Sequence, residues 1–159
     1  MKSRLNILLV EDNEGDIELV QRAVERANAP CGLTFAHNGQ EALDLLRSAP
    51  AQQQPDVILL DINMPILDGK KFLEKLRADE ELSLIPVIVL TSSSAPGDIC
   101  DCYARHASAY FVKPFDPHKY IALINQILGY WADATRPPHA APERSNAMPD
   151  VSRKSLQQS

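Results

Sequence analysis

The chain has 159 residues, of which 45% are apolar and 23% charged, the composition of one ordinary globular domain with little to spare. No apolar run approaches the roughly 18–20 residues a membrane span needs, and the run after the basic start Met1-Lys2-Ser3-Arg4 is too short for a signal peptide, so a cytoplasmic protein without membrane contact is expected. Lys and Arg number 16 against 21 Asp and Glu, a net charge of −5, which is a poor charge for gripping nucleic acid through its phosphates.

Leu5-Asn6-Ile7-Leu8-Leu9-Val10 is a short, nearly continuous apolar run, the pattern of a strand buried on both faces of a parallel sheet. Asn13 then caps a helix with apolar positions Ile17, Val20, Val24 and Ala27. Leu33-Thr34-Phe35-Ala36 alternates and reads as a strand nearer an edge, followed at Asn38-Gly39 by a helix with Ala42, Leu43 and Leu46. Val57-Ile58-Leu59-Leu60 is the third strand, and Gly69 precedes a helix with Phe72, Leu73 and Leu76. Val87-Ile88-Val89-Leu90 is the fourth, after which Asp98 opens a weaker helix with Ile99, Cys102 and Tyr103. Ala109-Tyr110-Phe111-Val112 is the fifth, and Asp116-Pro117 opens the last helix, with proline at a tolerated first-turn position. Five strands alternating with five helices predict an α/β, (βα)5 doubly wound parallel sheet in residues 1–131. Residues 132–159 carry Pro137, Pro138, Pro142 and Pro149 and almost no large apolar residue, and read as a flexible tail. Cys31, Cys100 and Cys102 show neither an even count nor CxxC spacing, so free thiols are expected.

Ligands of doubly wound sheets bind outside the carboxyl ends of the strands. Four strands finish there in residues that can do chemistry: Glu11-Asp12, Asp61, Thr91 and Lys113-Pro114. Singly, each has a bland reading: a helix-dipole charge, a cap, a loop hydroxyl, a solvated lysine. All four would have to be bland together, in order, at one edge. Three converging carboxylates repel one another unless a hard divalent cation joins them, and oxygen ligands favour Mg²⁺. One of the carboxylates can then act as a nucleophile toward phosphorus, with Lys113 and Thr91 binding the phosphoryl oxygens.

The set Val10-Glu11-Asp12-Asn13, Leu60-Asp61-Ile62-Asn63-Met64-Pro65 with Asp68-Gly69, Leu90-Thr91-Ser92 and Phe111-Val112-Lys113-Pro114-Phe115 resembles the receiver domain of two-component response regulators over about residues 3–131. The resemblance implies a flavodoxin-like strand order 2-1-3-4-5 and a single-domain receiver that is a phosphoacceptor rather than a turnover enzyme. It implies Asp61 as the phosphoacceptor. Asp12, Asp61 and the backbone carbonyl of Asn63 would be the Mg²⁺ ligands, with Glu11 acting through water. Thr91 would be the switch hydroxyl, Lys113 the phosphoryl-binding lysine and Phe111 the aromatic that turns inward, and a cis peptide would precede Pro114. Asn63 and Ser93 fall at the positions that tune hydrolysis. The donor implied is a sensor histidine kinase, and the responding surface is that of the fourth helix, fifth strand and fifth helix. His106-Ala107-Ser108 departs from the Gly-Ala-Asn often found after the fourth helix and puts a histidine where a left-handed residue is expected.

Tyr120, Leu123, Ile127, Tyr130 and Trp131 belong to an apolar arc of about 180° on the last helix, where one core needs about 100°. The surplus predicts a homodimer through those residues. The Tyr130-Trp131 ending, the long loop at Gln52-Gln53-Gln54 and the proline-containing tail resemble the regulators paired with bacterial phytochrome kinases, which implies a light-sensing kinase; a chemotaxis or phosphorelay receiver is the alternative. A Mg²⁺-dependent phosphohydrolase with an Asp nucleophile is disfavoured because Asn63 stands where that chemistry uses an acid.

Overall fold

A computed structural model describes residues 4–28 and 30–133. Strands β1 (Leu5–Val10), β2 (Cys31–Ala36), β3 (Val57–Leu60), β4 (Val87–Thr91) and β5 (Ala109–Val112) alternate with helices α1 (Glu14–Glu25), α2 (Gly39–Ser48), α3 (Gly69–Ala78), α4 (Pro96–Ala104) and α5 (Pro117–Asp133). All the pairings are parallel, in the order β2-β1-β3-β4-β5. The expected fold class and strand order are therefore both observed.

The continuous apolar runs are continuous because each strand feeds two cores at once. Leu8, Val10, Ile58, Leu60, Val87 and Val89 point toward α2, α3 and Cys102 of α4. Leu5, Ile7, Leu9, Val57, Leu59, Ile88 and Leu90 point toward α1 and α5. On α1 the inward stripe is Ile17, Val20 and Ala23, with Val24 and Ala27 only partly covered.

Helix entry follows the side-chain chemistry of the caps. Asn13, Asn38 and Asp68 accept from the N–H groups of Asp16 (2.9 Å), Glu41 (2.8 Å) and Lys71 (2.9 Å), satisfying donors that have no partner inside a first turn. Helix α4 differs from the expectation. It begins two residues earlier, with Ala95 as a cap without a side-chain bond and Pro96 in the first turn. Asp98 is released from capping and pairs elsewhere. His106 adopts φ 63°, the left-handed conformation expected of it, and Ile66 adopts φ 67° in a tight turn closed by Leu67 N–H on the Pro65 carbonyl at 2.8 Å.

Three expectations are corrected. There is no cis peptide among the described residues, so the Lys113–Pro114 bond is trans; trans is the lower-energy form of an X-Pro bond by about 0.5–1 kcal/mol. Helix α5 continues to Asp133, so residues 132 and 133 belong to the folded unit; the rest of the expected tail lies outside the described residues. Tyr120 and Ile127 are buried, 2% and 5% exposed, in the core shared with α1. They lie on the inner side of the arc, Ile127 reaching only the wall of a groove beside β5, which leaves Leu123, Tyr130 and Trp131 on its outer part.

Candidate functional site

The sheet delivers the site residues by extending its own ladder past the strand ends. Glu11 N–H donates to the Ala36 carbonyl (2.9 Å), Asp61 N–H to Val10 (3.0 Å) and Lys113 N–H to Thr91 (2.8 Å). Three chain segments are thereby pinned side by side at the carboxyl edge. Carboxylate oxygens of Glu11, Asp12 and Asp61 lie within 4.8 Å of one another. Glu11 and Asp61 are buried, and Asp12 is exposed at the rim.

Lys113 closes the cluster from below. Its Nζ lies 2.7 Å from Glu11 Oε2, 2.8 Å from Asp16 Oδ2 and 3.1 Å from Asp61 Oδ2. Burial pulls the Lys113 ammonium toward neutrality, but Glu11, Asp16 and Asp61 outweigh it and hold the group charged beyond the ordinary lysine range. Burial, with Asp61 beside it, pushes Glu11 up to about 7, against the opposing pull of Lys113 and the Asn13 N–H. Carboxylate oxygens of Glu11, Asp12 and Asp61 converge closely enough to hold one ion together. The donor set is all oxygen, which fits a hard divalent ion.

Asn63 donates its backbone N–H to Asp61 Oδ1 (3.1 Å), and its side-chain amide lies 3.5 Å from Thr91 Oγ1. Thr91 is fully buried. The loop after it is tied outward: Ser93 Oγ donates to Asp98 Oδ2 (2.5 Å), and Asp98 and Asp101 both pair with Lys70 at the start of α3, at 2.6 and 2.8 Å.

The placement of Phe111 overturns its expected role. Thr91 pairs in register with Val112, Leu90 with Phe111 and Val89 with Tyr110. Side chains alternate along a strand, so Tyr110 shares the face of Val89 and Thr91 and packs on the α2–α3 side. Phe111 packs on the opposite side, with α5. Tyr110 OH donates to the Ser93 carbonyl at 2.8 Å, directly on the loop that follows Thr91. Asp61, Thr91, Lys113, Glu11, Asp12 and Asn63 are thus brought together as expected, while Tyr110 and Asp16 were not anticipated. Asp16 carries no sequence signal beyond being an acidic residue in a first helical turn.

An acidic pocket closed by a lysine, at the carboxyl edge of a doubly wound 2-1-3-4-5 sheet, defines a class of phosphoryl-handling domains rather than one protein. The family model described as the response regulator receiver domain matches residues 7–125, and the chain belongs to that family. Among curated proteins it is 34% identical over 137 residues to the probable methanogenesis regulatory protein FilR2 of Methanothrix harundinacea (85% of this chain, 88% of that one). It is 30% identical over 137 residues to the response regulator Rcp1 of a Synechocystis species (84% and 93%). Of solved structures, the phosphorylated cyanobacterial phytochrome response regulator RcpA superposes with a TM-score of 0.80 at 32% identity, covering 86% of this chain and 99% of that one. The Mn²⁺-bound form of Rcp1 gives 0.77 at 29% (84% and 99%). No helix among the described residues is long and apolar enough to cross a membrane.

Proposed function

We propose that this receiver accepts a phosphoryl group on Asp61 from the phosphohistidine of a sensor kinase. An Asp61 carboxylate oxygen forms the new bond to phosphorus; the phosphorus–nitrogen bond breaks and its electron pair leaves with the imidazole. The observation that carries this reading is the position of Asp61, buried with two further acids and 3.1 Å from the Lys113 ammonium. Asp12, Asp61 and the Asn63 carbonyl would hold Mg²⁺, with Glu11 acting through water, and the ion would supply positive charge against the phosphoryl oxygens. Lys113, whose ammonium lies 3.1 Å from Asp61 Oδ2, supplies a further positive charge beside the acceptor.

Thr91 is the switch hydroxyl, drawn toward the new negative charge, and Tyr110 takes the role expected of Phe111 because it alone of the two shares the face of Thr91. The movement reshapes the surface of α4, β5 and α5, a population shift biased by one local charge event. Phe115, fully exposed beside Lys113-Pro114, offers a docking kinase an apolar foothold at the rim. The protein is a cytoplasmic signalling protein, homodimeric through the outer part of the α5 arc. Its donor is a phytochrome-type light-sensing kinase, a reading supported by the likeness to RcpA and Rcp1 and by the long α2–β3 loop. That loop folds as a 3-10 turn at Ala51–Gln53, and Gln54 Nε2 donates to the Leu46 and Ala49 carbonyls at the end of α2.

Intact mass after incubation with acetyl phosphate and Mg²⁺, and with a phosphorylated phytochrome-type kinase, tests the assignment. One phosphoryl group is expected, absent in EDTA and absent in Asp61→Asn, whose fold should be retained. Undiminished labelling of Asp61→Asn would place the acceptor elsewhere.

A further inference from the structure

An ammonium has three N–H donors, and Lys113 has three acceptors: Glu11, Asp61 and Asp16. The receiver reading uses Glu11 and Asp61 and gives Asp16 no task. Asp16 is the third residue of α1, held there by its N–H on the Asn13 cap. A carboxylate in a first helical turn ordinarily points to solvent and serves only the helix dipole. This one is only 27% exposed and reaches a residue 97 positions away at 2.8 Å.

Two electrostatic consequences follow, and they act in the same direction. Asp16 lies outside the three-acid cluster that could share an ion but adds a further carboxylate beside Lys113 at its edge, which favours a divalent cation and opposes an incoming anion. It also occupies one face of the Lys113 ammonium, so that less of that charge is left for a phosphoryl oxygen. Resting on the receiver reading, we propose that Asp16 determines donor specificity: it tightens the divalent-cation site and weakens the hold on small phosphoryl anions. The pocket then takes its phosphoryl group faster from a donor whose docking surface supplies the binding energy than from a free small phosphate such as acetyl phosphate.

Asp16→Asn tests this cleanly, because the amide keeps the shape and an acceptor for Lys113 while removing the charge. Calorimetric titrations with MgCl₂, and with beryllofluoride (a stand-in for the phosphoryl group) at saturating Mg²⁺, give the two affinities. A full charge acting across roughly 10 Å of half-buried, partly solvated site changes an affinity by about three- to tenfold. The expected result is Mg²⁺ binding weakened and beryllofluoride binding tightened, each by about that factor. Glu14→Gln is the control. It removes a charge from the same helical turn, but its side chain is 82% exposed, so both affinities should hold.

A merely structural role for Asp16 would weaken both affinities together. That outcome, or no shift in either, overturns the specificity role while wild-type binding leaves the receiver reading standing. A wild type that takes up neither Mg²⁺ nor beryllofluoride overturns the receiver reading and this inference with it.

Discussion

Glu11 is a residue whose ordinary chemistry has been moved by its surroundings, and that makes its protonation visible in stability. Its pKa is raised from 4.5 to about 7, chiefly by burial. Between those values the folded, cation-free protein keeps a proton that the unfolded chain has already lost. Its stability in EDTA should therefore fall as pH rises from about 4.5 to about 7, with the full penalty present above that window. A divalent cation competes for the same carboxylate, so Mg²⁺ should restore stability most above pH 7 and bind less tightly below it. Thermal melts across this range, with EDTA and with MgCl₂, check both signs; stability rising with pH in EDTA would contradict them. At this scale the sequence was informative wherever a polar residue ended an apolar run, because a strand end has only one place to be. It was uninformative for Asp16, whose partner comes from the far end of the chain. The choice between Tyr110 and Phe111 turned on the register of β5 against β4, which no single segment encodes.

Helix α3 depends on a close approach rather than on a special backbone angle. A Cβ at Gly69 would stand 2.5 Å from Ile62 Cα and 2.8 Å from the Asp61 carbonyl oxygen. Both are backbone atoms that cannot swing away. Gly69→Ala should push the first turn of α3 off the loop that carries Asp61, at a cost of about 1–3 kcal/mol and with slower labelling of Asp61. Urea melts and labelling rates measure the two effects, and wild-type values in both would show that the loop yields freely. Helices α1, α2 and α3 are readable because each amphipathic pattern follows a capping residue, Asn13, Asn38 or Asp68. Helix α4 starts two residues before the expected Asp98 because Pro96 opens it through its fixed φ, while Asp98 is engaged with Lys70 and Ser93. Strand β2 begins at Cys31 rather than at Leu33 because it pairs with β1 from Leu5 onward, a constraint from its neighbour and not from its own alternation.

For the molecule as a whole, β5 is an edge of the sheet, and the proposed homodimer would use the groove between it and α5. The groove encloses about 460 Å³ and is lined by apolar groups including Ala109, Phe111, Leu123, Tyr130 and Trp131. Tyr130 is 62% exposed and packs edge-on against Trp131, with ring centres 6.4 Å apart. Helix periodicity displayed the excess apolar arc but could not divide it, because Tyr120 and Ile127 turn inward only once α1 is packed beside α5. The division matters for the experiment. Replacing Tyr120 would empty the core and lower stability, whatever happened to association. Tyr130→Ala and Trp131→Ala remove groups at the groove instead. If this face joins two copies, each should weaken self-association by about tenfold or more, the size expected of an aromatic anchor, while Tyr130→Ala, as the more exposed of the two, should leave the melting temperature nearly unchanged. Sedimentation equilibrium over a range of concentrations reads the first effect and thermal melts the second. Unaltered association in both variants would mean that the arc serves only its own helix, and that phosphorylation of Asp61 is read out through α4, β5 and α5 by a different kind of partner.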